Sequence, residues 1–284
     1  MKPLLKWVGG KSQIIDDVLS HFPRRIRTYH EPFVGGGAVL LAALSDETIH
    51  IDRVRASDNN PHLVAFYKHI QDDPDALHAA IERVFTAYDA SGKDGKEAFY
   101  YAQRQLFRDA PPSVEKSALL FFLNKTCFRG LYREGPNGFN VPYGHYKTTP
   151  KWPTLGELQA MQSLLRRVEF EVCDFSVALS RVGEGDFVYA DPPYARETKT
   201  SFVGYNTNGF DQDALFEALT KTIFCMSNAN VPCVRDFFKE YDICFIKARR
   251  AINSKNPEST TTEVVVTNVG GRQSRHGCGR VEHE

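Results

Sequence analysis

The segment from Thr28 to Asp58 constrains the fold more than any other part of the chain. Residues 28–33 read as a strand, Gly35-Gly36-Gly37 as the loop that ends it, and the apolar run 38–44 as the helix that follows. Residues 54–57 supply a second strand, with Asp58 at its end. Strand–helix alternation of this kind predicts an open α/β sheet whose ligands bind at the carboxyl ends of its strands. Glycines between strand and helix let a ligand approach the backbone. The dinucleotide fingerprint is incomplete, because Leu40 takes the third glycine position after Gly35 and Gly37. An acid about 20 residues beyond such a loop is where a ribose diol is gripped. The competing role for Asp58 is a cap for the helix that begins at Pro61.

A second strand-to-loop junction carries the chemistry. After the turn at 183–186, the apolar run 187–190 delivers Asp191-Pro192-Pro193-Tyr194 to the end of a short buried strand. Each proline fixes φ and has no N–H, so the carbonyls of Asp191 and Pro192 stay out of a helix and remain acceptors. A carboxylate and a free carbonyl together accept both hydrogens of an exocyclic amine, and Tyr194 offers a flat face to the ring that bears it. Asp-Pro-Pro is also an ordinary way to end a strand, so the rest of the chain decides. Residues 168–172 form another strand, after which Asp174 and Phe175 offer an acceptor and a ring to a purine. Near the N-terminus, Gly10-Lys11-Ser12 fails as a phosphate loop, since Leu5 stands where the motif needs glycine. What remains is a glycine turn presenting Trp7 and Lys11 to something flat or anionic.

Residues 72–167 interrupt the alternation. Helices are expected at 76–88, 98–107 and 118–124, with a polar loop at 90–96. Gly135-Pro136-Asn137-Gly138 signals a hairpin, flanked by arginines and aromatics suited to tracking phosphates and reading base edges. The formal net charge is zero, so nothing global announces a polyanion. Locally, residues 115–152 hold six Lys or Arg against two acids, and 247–256 hold Lys247, Arg249, Arg250 and Lys255 with no acid. Two basic patches on a neutral chain suit nucleic acid at one face; solvated loops are the plain alternative. Beyond Tyr194, the polar stretch 195–209 is placed to close over a substrate, Asp211 caps a helix at 214–219, and strands at 223–226, 243–248 and 262–269 complete the sheet around a helix near 234–238. The six cysteines form no Cys-x-x-Cys pair, which argues against a zinc ribbon or a disulfide framework. No apolar run approaches the roughly 18 residues of a membrane span. The expected setting is the cytoplasm, with a nuclear or viral one left open.

Five motifs occur in a familiar order: Lys-Trp-x-Gly-Gly-Lys at 6–11, Glu-Pro-Phe-Val-Gly-Gly-Gly at 31–37, Asp58-Asn59-Asn60, Phe-Asn-Val-Pro-Tyr-Gly at 139–144, and Asp-Pro-Pro-Tyr at 191–194. From Leu5 to Asn268 the chain resembles the Dam-type DNA adenine-N6 methyltransferases. The resemblance implies an α/β fold: a Rossmann-like methyltransferase sheet with an inserted helical target-recognition domain carrying a β-hairpin. It implies a catalytic domain from 1–71 and 168–269, a recognition domain at 72–167 and a disordered tail at 270–284. S-adenosylmethionine is the implied methyl donor and double-stranded DNA the implied partner, with no metal. Trp7 and Lys11 would hold cofactor and target base, while Phe33 and the loop from Gly35 to Gly37 would lie along the methionine part. Asp58 would take the ribose hydroxyls, and Asp174 and Phe175 would border the cofactor adenine. Asp191 and Pro192 would accept the two N6 hydrogens of a flipped adenine, with Tyr194 stacked on it and Asp191 also near the cofactor. Arg129, Arg133, Asn137, Pro142, Arg249 and Lys255 would meet DNA. Cytosine-N4 methylation, an inactive DNA-binding relative and an RNA methyltransferase are the alternatives. Asp191 favours adenine over cytosine, the intact acceptor motif favours catalysis, and the hairpin favours duplex DNA. Arg129 stands where GATC-methylating relatives commonly carry asparagine, which leaves the target sequence open. The oligomeric state, with monomer or weak dimer expected, and a companion restriction endonuclease are not legible in the sequence.

Overall fold

The computed structural model describes residues 1–195, 209–249 and 260–270. Its main sheet has seven strands: β1 (Arg25–Glu31), β2 (His50–Asp58), β5 (Val168–Val172), β6 (Phe187–Ala190), β7 (Ile223–Ala229), β8 (Asp242–Arg249) and β9 (Thr260–Thr267). The short strands β3 (Glu134–Gly135) and β4 (Gly138–Phe139) form the separate hairpin. The main order is β5-β2-β1-β6-β7-β9-β8, parallel except that β9 runs antiparallel to both of its neighbours. From β1 the chain steps outward to β2 and β5, then returns to lay β6 on the other side of β1, with Tyr29 opposite Phe187. That reversal is a topological switch point, and the loops at 32–37 and 191–194 both leave the sheet there. Two motifs far apart in sequence meet for that reason.

β6 is buried at all its positions because both of its faces are covered. Phe187 and Tyr189 join one apolar cluster, while Val188 and Ala190 join another on the opposite face. The first face carries α1 (Ile15–Ser20), α2 (Ala38–Ser45) and α3 (Pro61–Asp72). The second carries α8 (Phe175–Leu179), α9 (Gln212–Leu219) and α10 (Pro232–Phe237). Between α3 and β5 come α4 (Pro74–Ala90), α5 (Gly92–Asp109), α6 (Val114–Thr126) and α7 (Leu155–Leu165). α6 lies among α3, α4 and α5 and buries even Lys116, Ser117 and Asn124, so it shows little amphipathic period. Asn60 and Asp73 cap α3 and α4 ahead of Pro61 and Pro74, which fit a first helical turn because they lack the N–H that would go unpaired there.

Two local expectations need correction. The polar stretch 90–96 is not a loop: from Gly92, whose φ of +68° turns the chain, it forms the solvated first turns of α5. α7 escaped the pattern reading, although Thr154 and Glu157 form a reciprocal capping box at its start, a signal the sequence does carry. Most of the stretch expected to close over substrate, the loop holding Arg250 and Lys255, and the tail beyond Gly270 lie outside the described residues. Among the described residues no helix is long and apolar enough to cross a membrane, and no cluster of His, Cys, Asp and Glu is arranged to hold a metal ion.

Candidate active site

The end of β6 places Asp191 in an ion pair whose cation is buried and whose carboxylate is half-buried. Lys11, 3% exposed, donates to Asp191 Oδ1 at 2.7 Å and also to the Gly9 carbonyl. Its ammonium sits 4.9 Å from the centre of the Tyr194 ring. Burial pushes the Asp191 carboxyl up to about 6, Lys11 opposes that rise, and Glu263 adds to it. The motif itself is held from three sides. Tyr194 donates its hydroxyl to Glu263 Oε2 at 2.6 Å, Gln212 Nε2 donates to the Pro193 carbonyl at 2.5 Å, and the Ala195 N–H donates to Asn228 Oδ1 at 3.0 Å. Among the described residues nothing donates to the Pro192 carbonyl. Sequence reading missed Glu263, Asn228 and Gln212, since only the placement of β9 beside β7 brings Glu263 to Ala229 and so towards this motif. Behind the pair, Glu31 is buried and accepts from the Tyr29 hydroxyl at 2.6 Å. Burial lifts its carboxyl to about 8, with the Asp191 charge contributing, so Glu31 is protonated at neutral pH.

The glycine loop after β1 is tied to the end of β2. Asp58 Oδ2 accepts from the Gly35 N–H at 3.1 Å and Oδ1 from the Asn60 N–H at 3.0 Å; burial raises its carboxyl and these bonds oppose the rise. Asn60, not Asp58, caps α3, accepting from the His62 and Leu63 N–H groups, which removes the competing role for Asp58. The glycines also serve the protein itself. A Cβ at Gly35 or Gly36 would come within 3.0 Å of Trp7, and one at Gly37 within 2.7 Å of the Tyr67 hydroxyl. Gly35 and Gly37 further take left-handed φ of +47° and +71°. Trp7 thus lies against the loop, and its ring stacks on Tyr132 at 5.3 Å. Phe33, Phe175 and Phe210 make an aromatic wall with ring centres 5.2–5.8 Å apart. Asp174 caps α8, its Oδ1 accepting from the Ser176 N–H and hydroxyl.

The residues expected to meet DNA separate into two groups. Arg129 is exposed, at φ +58°, with its guanidinium 5.1 Å from the centre of the Phe128 ring. Arg133 is exposed and donates through Nε to Asn140 Oδ1 at 2.6 Å. Asn137 is exposed in the hairpin turn, and Pro142, also exposed, accepts from the Phe128 N–H at 2.8 Å. α5 braces this segment by donating to its carbonyls: Tyr100 and Arg104 to Val141, and Arg108 to Phe139. Arg249 ends β8, and Lys255 lies outside the described residues. The hairpin and its flank therefore carry Arg129, Arg133, Asn137 and Pro142 on one segment, while most of the second basic patch lies outside the described residues.

Comparison with known proteins identifies the family. The family model of the D12 class N6 adenine-specific DNA methyltransferases matches residues 7–252. A type II methyltransferase of Methanocaldococcus jannaschii is 34% identical, covering 90% of this chain and 94% of its own. A type II methyltransferase of Lactococcus lactis subsp. cremoris is 30% identical over 95% of this chain and 96% of its own. The DNA adenine methylase of Haemophilus influenzae is 31% identical over 90% and 89%, respectively.

Proposed function

The chain belongs to the D12 class N6 adenine-specific DNA methyltransferases, and from that membership we propose how its own residues carry methyl transfer to adenine in DNA. The observation that carries the proposal is a half-buried carboxylate, Asp191, kept charged by Lys11 beside a Pro192 carbonyl that accepts nothing from the described residues. Asp191 and Pro192 accept the two hydrogens of N6. This shifts electron density onto a nitrogen whose lone pair is otherwise delocalised into the ring, and it stabilises the positive charge that grows there during attack. N6 is paired inside a duplex, so the target base leaves the stack at a cost of a few kcal/mol. Tyr194, anchored through its hydroxyl by Glu263, offsets part of that cost by stacking on the base.

S-adenosylmethionine fits the cleft beside this motif. Asp58 stands at the end of β2, where ribose hydroxyls would meet its remaining lone pairs, and the wall of Phe33 and Phe175 suits an adenine ring. When bound, the cofactor supplies a methyl group on a sulfonium. Residues 1–71 and 168–269 act as the catalytic part and 72–167 as the target-recognition part, with Arg133 and Arg129 facing the duplex from the hairpin and its flank. The type II names of two relatives support a restriction endonuclease as companion.

Replacing Asp191 by alanine tests the mechanism. Loss of about 3 kcal/mol of transition-state stabilisation slows transfer by about two orders of magnitude. Duplex binding is expected to persist. Labelled S-adenosylmethionine with adenine-only and cytosine-only duplexes reads both rate and base. Near-normal turnover of the variant, or label on cytosine, would sink the acceptor assignment.

A further inference from the structure

Gln212 opens α9 with its amide turned onto the acceptor motif, where Nε2 donates to the Pro193 carbonyl. Its Oε1 is fully buried and is the one such side-chain nitrogen or oxygen among the described residues without a hydrogen-bond partner. Exchanging the amide's oxygen and nitrogen would set two acceptors against each other at Pro193, so the neighbour fixes the orientation. A buried acceptor without a donor is costly, and native structures keep one where a ligand completes it. Two residues earlier, Phe210 packs on Phe33 at 5.7 Å and on Phe175 at 5.2 Å. One short turn therefore touches both the aromatic wall of the cofactor cleft and the acceptor motif.

We propose that Gln212 Oε1 accepts a hydrogen bond from a donor on bound S-adenosylmethionine, and that the same amide, through Nε2, sets the Pro193 carbonyl and so couples cofactor occupancy to the acceptor motif. The inference rests on the cofactor reading of this cleft. The target adenine is the other molecule at the site, but Asp191 and Pro192 already take both of its N6 hydrogens, and its ring nitrogens N1, N3 and N7 only accept. The cofactor carries ammonium, hydroxyl and amine donors. Gln212 is thus a cofactor contact on one side and a positioning residue on the other.

The two roles separate by substitution in the full chain. Gln212→Leu removes both the acceptor and the donor, whereas Gln212→Glu keeps an acceptor and loses the donor towards Pro193. Calorimetry with S-adenosylmethionine is expected to show about a tenfold weaker Kd for the leucine variant and a change within about threefold for the glutamate variant. Steady-state methylation by the glutamate variant is expected to show a lower kcat at saturating cofactor. Thermal unfolding of both variants checks that they fold. If the leucine variant unfolds as the parent does and binds the cofactor equally tightly, the assignment is wrong. It is equally wrong if the glutamate variant binds as weakly as a folded leucine variant, or if only DNA affinity changes. A parent chain that fails to bind S-adenosylmethionine would instead sink the cofactor reading beneath it.

Discussion

Lys11 decides the charge state of Asp191, because burial alone would favour the neutral acid. Only the carboxylate form carries the negative charge that stabilises the cation growing on N6, so the rate of transfer is expected to rise with pH through about 6 and level off above it. Lys11→Met removes the cation that favours the charged form, and the acid limb should therefore move to higher pH. Single-turnover methylation across that range measures it, and a limb that stays in place or moves down would take Lys11 out of this role. Glu31 has the opposite bearing on stability. Its folded carboxyl sits at about 8 against an ordinary value of 4.5, so above 4.5 the native state holds a proton that the unfolded chain has released. The contribution of Glu31 to stability must then fall as pH rises towards 8, by at most about 1.4 kcal/mol per unit. Asp191 drops out of this linkage above about 6, whereas the lowered His21, His30, His62, His69 and Lys125 act in the window from 6 to 8 with the opposite sign, so the Glu31 contribution is read as the difference in slope between parent and variant. Glu31→Gln keeps an acceptor for the Tyr29 hydroxyl, and denaturant unfolding at both ends of the window is expected to show a slope of stability against pH less negative than the parent's. An unchanged slope would mean that Glu31 is already ionised in the fold.

α5 and the hairpin act as one unit whose halves differ in how they appear in sequence. Gly135-Pro136-Asn137-Gly138 announces the turn, and Gly138 takes the positive φ of +79° that the motif demands. Arg104 and Arg108 give no such sign, since they donate to backbone carbonyls and any residue supplies a carbonyl. The same blindness hid Glu263 and Gln212, whose partners lie on other elements. Arg133 is oriented by Asn140 across the hairpin, which in the base-reading role proposed for it would pre-order the guanidinium for a bidentate contact with guanine. Arg133→Ala is expected to cost about 1–3 kcal/mol at the cognate site and to relax choice at one base pair. Arg108→Ala, which frees the Phe139 carbonyl, should blunt selectivity at that pair without abolishing transfer from the intact acceptor motif. Methylation of a library of single-base site variants reads both effects. Site preferences identical to the parent, with only slower methylation, would reduce both arginines to structural residues.

Over the whole chain, the central strand 187–190 was legible because both of its faces are buried, and the edge strand 168–172, which buries alternate residues, also runs as expected to the residue. The start of β2 was not, because exposed residues at His50, Asp52 and Arg53 interrupt its apolar pattern and read as loop. Charge shows the same contrast between total and distribution. The formal sum is zero, yet burial, with the nearby Lys6 adding to it, lowers the Lys125 ammonium to about 8. A like-charged pair held near Trp7 and the Arg129 turn is unfavourable in the free protein and is relieved by a phosphate. DNA binding should then draw a proton onto Lys125 when the pH is near 8. Titration of duplex by calorimetry in two buffers of different ionisation enthalpy counts that proton, and the uptake is expected to disappear in Lys125→Met. The same variant should bind all sequences more weakly and lower the salt slope by about 0.9 for the lost phosphate contact. Proton uptake that is absent in the parent, or a salt slope that the substitution leaves untouched, would place the DNA backbone elsewhere on the molecule.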